Sequence, residues 1–199
     1  MQVALEIPDT QAEGPGRRYA VWLQGCPLRC RGCCNPGYLP FEGGASVEVE
    51  DLLARIVATP HLEGVTLLGG EPFAQAAEAA ALLAGVRRHG LGTLVFTGYT
   101  LAELTDDDFA DPAGAAALLA ETDLLVDGRW DETRPDDTRT WIGSTNQAMH
   151  FLTDRHRADD PRFVARDTVE IRLGRDGLTV NGKPWGRWAP GSRPGSGRR

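Results

Sequence analysis

The chain has 199 residues, enough for one domain with a substantial core and some appendages, and its composition is ordinary for a globular protein. A formal net charge of −7 argues against nucleic acid or an anionic membrane as the main partner. Met1 to Glu6 is not a basic segment leading into a long apolar run, and no stretch approaches the roughly 20 apolar residues of a membrane span. The expectation is a cytoplasmic protein whose thiols stay reduced and free to bind metal.

Residues 2–7 read as a first strand, followed over 8–18 by a loop punctuated by Glu13-Gly14-Pro15-Gly16-Arg17-Arg18. Residues 19–23 (Tyr-Ala-Val-Trp-Leu) are the next strand. Directly after it comes a loop with Cys26, Cys30 and Cys33 at C-x3-C-x2-C spacing, which Asn35-Pro36-Gly37 closes. Ser46 precedes Glu48, Glu50 and Asp51, with Leu52, Leu53, Ile56 and Val57 on one face. A capping serine and acids in the first turn predict a helix ending before Pro60.

Residues 65–68 are a buried-type strand running into Gly69-Gly70-Glu71-Pro72, and 74–89 an alanine-rich helix stopped by Gly90. Residues 93–97 form a strand ending in Gly98-Tyr99, and short helices follow near 101–104 and 113–120. Residues 123–126 are a further buried strand ending at Asp127-Gly128. Apolar strands alternating with helices indicate parallel βαβ units. Beyond them lie a charged loop over 130–140, a polar loop over 143–147 and an expected short helical piece. Residues 168–173 and 178–180 flank Gly174-Arg175-Asp176-Gly177 as a β-hairpin, and 190–199 read as a disordered tail. In domain terms this is a core over 1–160, a hairpin extension over 161–189 and the tail.

Three closely spaced cysteines in one tight loop suit an iron–sulfur cluster. Four irons and three thiolates leave one iron open, as a metal site acting on a substrate requires. Zinc and buried free thiols remain alternatives at this point. Zinc usually shows two C-x2-C pairs or a pair with two histidines, whereas His61, His89, His150 and His156 are scattered. Cys34 could be a fourth ligand, but adjacent side chains are expected to point apart. Four cysteines in 199 residues are too few for a secreted disulfide framework.

The cysteine loop, residues 69–72, residues 97–99 and Asp127-Gly128 each fall at the C-terminal end of an expected strand. That rim is where parallel α/β sheets and barrels bind ligands. Gly69 and Gly70 would let backbone approach a ligand closely. Glu71 offers a carboxylate suited to an ammonium, or is a solvated acid in a turn. Asp127 would anchor a cation, or cap a turn.

The cysteine loop after one strand and Gly-Gly-Glu-Pro after a later one resemble the radical S-adenosylmethionine (SAM) enzymes. Residues 13–17 followed by Gln24-Gly25-Cys26-Pro27 are similar to the glycyl-radical-enzyme activases. Thr97-Gly98-Tyr99-Thr100, Leu125-Val126-Asp127-Gly128-Arg129-Trp130 and Gly143-Ser144-Thr145-Asn146-Gln147 resemble, among these, the anaerobic ribonucleotide-reductase activating proteins. The resemblance covers roughly residues 13–151. It implies an α/β fold, a partial (β/α)6-type barrel with a mostly parallel sheet and a C-terminal β-hairpin. It also implies a [4Fe-4S] cluster on Cys26, Cys30 and Cys33, the SAM amino and carboxylate groups on the fourth iron, and Gly32 and Cys34 against the adenine end. Gly69, Gly70 and Glu71 would hold the methionine ammonium, with Thr97 and Asp127 as lesser contacts.

The activity so implied is reductive cleavage of SAM to a 5′-deoxyadenosyl radical that takes a hydrogen atom from a glycine of a partner enzyme, such as an anaerobic ribonucleotide reductase. A flavodoxin- or ferredoxin-type donor would supply the electron. Many radical SAM enzymes carry an aromatic residue where Gly32 stands, and the activating proteins usually carry one where Cys34 stands. Two other functions compete: radical SAM chemistry on a small molecule or peptide of a biosynthetic pathway, and a non-catalytic iron–sulfur or zinc protein. Trp185 and Trp188 lie beyond the matched stretch, and a hairpin there would simply cover a sheet edge.

Overall fold

The computed structural model describes residues 1–163, 168–174 and 177–182. In chain order the elements are β1 (Gln2–Thr10), β2 (Arg18–Leu23), β3 (Ala45–Ser46), α1 (Val49–Ala58), β4 (Gly64–Gly69), α2 (Ala76–Arg88) and β5 (Gly92–Phe96). There follow α3 (Leu101–Leu104), α4 (Pro112–Ala120), β6 (Leu124–Asp127), β7 (Ala148–Phe151), β8 (Val169–Gly174) and β9 (Gly177–Gly182). The first seven strands form one sheet in the order β3-β1-β2-β4-β5-β6-β7. Its centre, β2-β4-β5-β6, is parallel, while β1, β3 and β7 are antiparallel additions at its edges. The fold is thus α/β with a parallel centre, as expected.

Strand alternation sorts side chains onto two faces. Tyr19, Val21 and Leu23 of β2, with Val65 and Leu67 of β4, meet Leu52 and Ile56 of α1 and Leu82, Leu83 and Val86 of α2. The helices therefore cover one face of the sheet. Ala20, Trp22 and Leu68 point to the other face, together with Leu94, Leu124 and Val126. Among the described residues no α-helix packs on Trp22 and Leu68 there, and that face holds the cavity described below.

Arg18 closes the opposite, N-terminal ends of the strands. It is 1% exposed and donates to Thr66 Oγ1 (2.6 Å), Val65 O (2.5 Å), Pro15 O (3.1 Å) and Gly92 O (3.3 Å). Burial pulls its pKa down to about 9, but the carbonyls of three separate segments depend on its donors.

Two local expectations change. Ser46 does not cap α1: it pairs with Gln2 in β3, and Glu48 is the N-cap residue without a side-chain bond. The piece after residue 147 is a strand, because Ala148 to Phe151 pair with β6 and complete the sheet edge. The hairpin β8–β9 is present as its own two-stranded sheet, with no strand pairing to the main sheet among the described residues. Its turn residues Arg175 and Asp176, Trp185, Trp188 and the segment 190–199 lie outside the described residues. Among the described residues no helix is long and apolar enough to cross a membrane.

Candidate active site

The loop after β2 is built to hold its cysteines in place. Gly25 takes φ +94°, and its N–H donates to Tyr38 O (2.9 Å) while Cys26 N donates to Leu39 O (3.0 Å). Gln24, 5% exposed, donates from Nε2 to Pro40 O (2.6 Å) and also reaches Gly37 O and Glu42 O. One amide therefore ties the outgoing limb of the loop to its return. Arg31, near the tip, pairs with Glu132 at 2.7 Å, which ties the 130–134 segment to the cysteine loop.

The glycine pair after β4 packs against this loop. A Cβ on Gly69 would stand 2.6 Å from Trp22 Cβ, and one on Gly70 would stand 2.4 Å from Gly25 O. Gly69 also takes φ +99°. The glycines thus bring the β4 rim into backbone contact with the cysteine loop: Gly70 N donates to Leu23 O (2.8 Å) and Glu71 N to Gly25 O (2.9 Å).

Glu71 is buried at 1% exposure. Its Oε1 accepts from Phe73 N (3.0 Å) and Thr97 Oγ1 (2.8 Å), and its Oε2 from Gly98 N (2.9 Å). All three donors are neutral. Burial outweighs them and pushes the carboxyl pKa up to about 7. A carboxylate has about four lone-pair sites, so one direction on Oε2 is left for a further donor.

Cys26, Cys30, Cys33 and Cys34 open with Gly69, Gly70, Glu71, Thr97 and Gly98 onto one cavity of about 350 Å3. That volume falls within the roughly 300–1,000 Å3 typical of small-molecule sites. Trp22, Leu68 and Phe96 form its apolar floor, and Trp130, Trp141 and Gln147 a further wall. Two sequence-predicted residues are elsewhere. Gly32 sits outside the wall at φ +70°, backed by Glu132. Asp127 lies beneath the rim: Oδ2 accepts from Leu101 N (2.6 Å) and pairs with His150 Nε2 (2.9 Å), and Oδ1 accepts from Ala148 N (3.2 Å). Its carboxylate joins α3 to β7. The residues not anticipated as lining the site are Gln24, Glu13 and the aromatic lining; only the apolar run of residues 19–23 hinted at Trp22.

All four cysteines are free thiols. Burial raises the pKa of Cys26 and Cys30, whereas the Cys34 thiol interacts with the Cys33 sulfur and favours its thiolate. The two adjacent side chains therefore meet, contrary to the expectation that they point apart. Among the described residues, no three acidic, histidine or cysteine side chains close on one point as a single ion requires. A cluster offers separate irons to separate thiolates, and three thiols of one loop opening onto one cavity fit that donor set.

A family model described as a 4Fe-4S single cluster domain matches residues 12–150. The anaerobic ribonucleoside-triphosphate reductase-activating protein of Vibrio cholerae is 32% identical over 155 residues, covering 73% of this chain and 95% of that protein. The protein of that name from Salmonella typhi is 32% identical over 70% of this chain and 91% of its own. A putative glycyl-radical enzyme activating enzyme of Haemophilus influenzae is 36% identical over 43% of this chain and 34% of that protein. The crystal structure of QueE from Escherichia coli aligns with half of the chain at 22% identity and a TM-score of 0.39. By its four-iron domain and by relatives matched over nearly their whole length, the chain belongs to the anaerobic ribonucleoside-triphosphate reductase-activating proteins, a radical SAM family.

Proposed function

We propose that this chain activates an anaerobic ribonucleoside-triphosphate reductase by removing a hydrogen atom from a glycine of that enzyme. In this reading Cys26, Cys30 and Cys33 hold the [4Fe-4S] cluster and SAM occupies the cavity. When bound and reduced, the cluster supplies the electron for reductive cleavage of SAM. The chain's own residues position and exclude. Glu71 takes the methionine ammonium on its free lone pair, and Thr97 and Gly98 hold that carboxylate in place. Trp22, Leu68 and Phe96 keep water from the reacting end of the site. Cys34 shares the wall at the expected adenine end. Asp127 acts only by keeping α3 and β7 in register beneath the rim. The observation that carries the reading is a buried carboxylate with neutral hydrogen-bond donors, in one cavity with four free thiols, Cys26, Cys30 and Cys33 among them.

The test is anaerobic reconstitution with iron and sulfide, followed by reductant, SAM and the reductase from the same source. A glycyl radical on the reductase, with one 5′-deoxyadenosine per radical, is the expected result. Deuterium transferred into 5′-deoxyadenosine from a free metabolite instead of a glycine Cα would overturn it.

A further inference from the structure

The hairpin β8–β9 lies beyond the segment that matches the 4Fe-4S family model, and its two faces are inverted relative to an ordinary surface hairpin. The polar face is turned inward. Glu170 Oε1 accepts from Gln11 N (2.8 Å), Asn181 Nδ2 donates to Thr10 Oγ1 (2.9 Å), and Gly182 N donates to Glu13 Oε1 (2.6 Å). Arg172 bonds Asn181 Oδ1 (2.6 Å) and the carbonyl of Asp9. Residues 9–13 thereby hold the hairpin beside the cavity, and Glu13, Val180, Asn181 and Gly182 are part of the cavity wall.

The apolar face is turned outward. Ile171 pairs with Val180 and Leu173 with Leu178, so these side chains share one face with Val169. Ile171 is 68% exposed, Leu173 86%, Leu178 58% and Val180 49%. Of the seven large apolar side chains exposed among the described residues, five stand on this face. Such a concentration marks an interaction surface. Val180 belongs both to the face and to the cavity wall, so the apolar face borders the site.

We propose that this face docks the protein substrate, taking an uncharged apolar segment that flanks the glycine delivered to the cavity. The inference rests on the function proposed above. A protein substrate that sends a glycine into a cavity of about 350 Å3 must rest its bulk on the rim, and this face is rim. The face itself is built of Val, Ile and Leu alone, so it selects an apolar contact, while the bonds to residues 9–13 hold it preformed.

The experiment compares the full reconstituted chain with its Ile171→Asp/Leu173→Asp variant. Both positions are largely solvent-exposed, and neither lines the cavity. Partner-independent cleavage of SAM is expected to be unchanged. The reductase concentration giving half-maximal glycyl radical is expected to rise about tenfold or more, the loss typical of central apolar anchors. A Leu173→Met variant should retain activation. Wild-type concentration dependence in the aspartate variant overturns the docking proposal and leaves the proposed function standing. A wild-type chain that cleaves SAM but forms no radical on the reductase overturns both. A photo-crosslinker in place of Leu173 should capture the reductase; capture of a second copy, or of residues 183–199 of the same chain, overturns the proposal in favour of that occupant.

Discussion

Glu71→Gln is the most informative single change, because the carboxylate's surroundings set both the sign and the size of its effect. With its pKa raised from 4.5 to about 7, the folded protein binds this proton more tightly than the unfolded chain does. Stability therefore falls as pH rises between about 4.5 and 7, by about 3 kcal/mol for this wholly buried group. A cation on Oε2 offsets that cost, so SAM affinity should rise about tenfold per pH unit up to about pH 7 and level off above it. Glutamine removes the charge and sets an amide donor against either Gly98 N–H or the donors on Oε1. Loss of a charged hydrogen bond of about 1.5–3 kcal/mol weakens SAM binding roughly 10- to 150-fold and abolishes the pH dependence. Equilibrium SAM binding to the reconstituted protein at pH 6, 7 and 8 measures both effects. Wild-type affinity with a wild-type pH profile in the glutamine variant would refute the ammonium assignment.

Three further outcomes are expected. Cys26→Ala, Cys30→Ala and Cys33→Ala should each lose cluster iron together with 5′-deoxyadenosine formation, whereas Cys34→Ala keeps both; iron loss in the Cys34 variant would contradict a three-thiolate site. Gly70→Ala drives a methyl group to within 2.4 Å of Gly25 O and 2.8 Å of Leu23 O, and backbone cannot yield as a flexible side chain can. Chemical denaturation should show a loss of about 1–3 kcal/mol, and an unchanged midpoint would show that the rim is looser than these contacts require. Asp127→Ala strips Leu101 N and Ala148 N of their acceptor and should cost about 2–4 kcal/mol of stability. SAM affinity is expected to stay within about twofold of wild type, and a fall as large as that from Glu71→Gln would return Asp127 to the binding site.

The chemistry of this protein is local, and local spacing is what a sequence records. Three cysteines within eight residues after an apolar strand, and a glycine pair before Glu71 after another, are legible without coordinates because each lies within a single loop. The alternation of apolar strands with helices was equally readable, since parallel strands require crossovers. Local signals misled where a distant partner decided. Ser46 and its following acids form a good capping pattern, yet pairing with Gln2 draws the serine into β3. Residues 148–151 carry no strong strand signal and become a strand because the β6 edge is open to them.

The sequence by itself determined the cysteine loop, the rim motifs and the βα order, because those depend on neighbours in the chain. Only the tertiary structure decided what each rim carboxylate does. Glu71 and Asp127 both end apolar strands, but Glu71 opens onto the cavity with neutral donors around it, while Asp127 is consumed by α3 and β7. It also decided that Gly69 and Gly70 serve backbone contact with the cysteine loop, and that the hairpin turns its polar face inward. Each of these depends on which surfaces meet across the fold, and residues 9–13 meeting 170–182 leave no trace in the spacing of either segment.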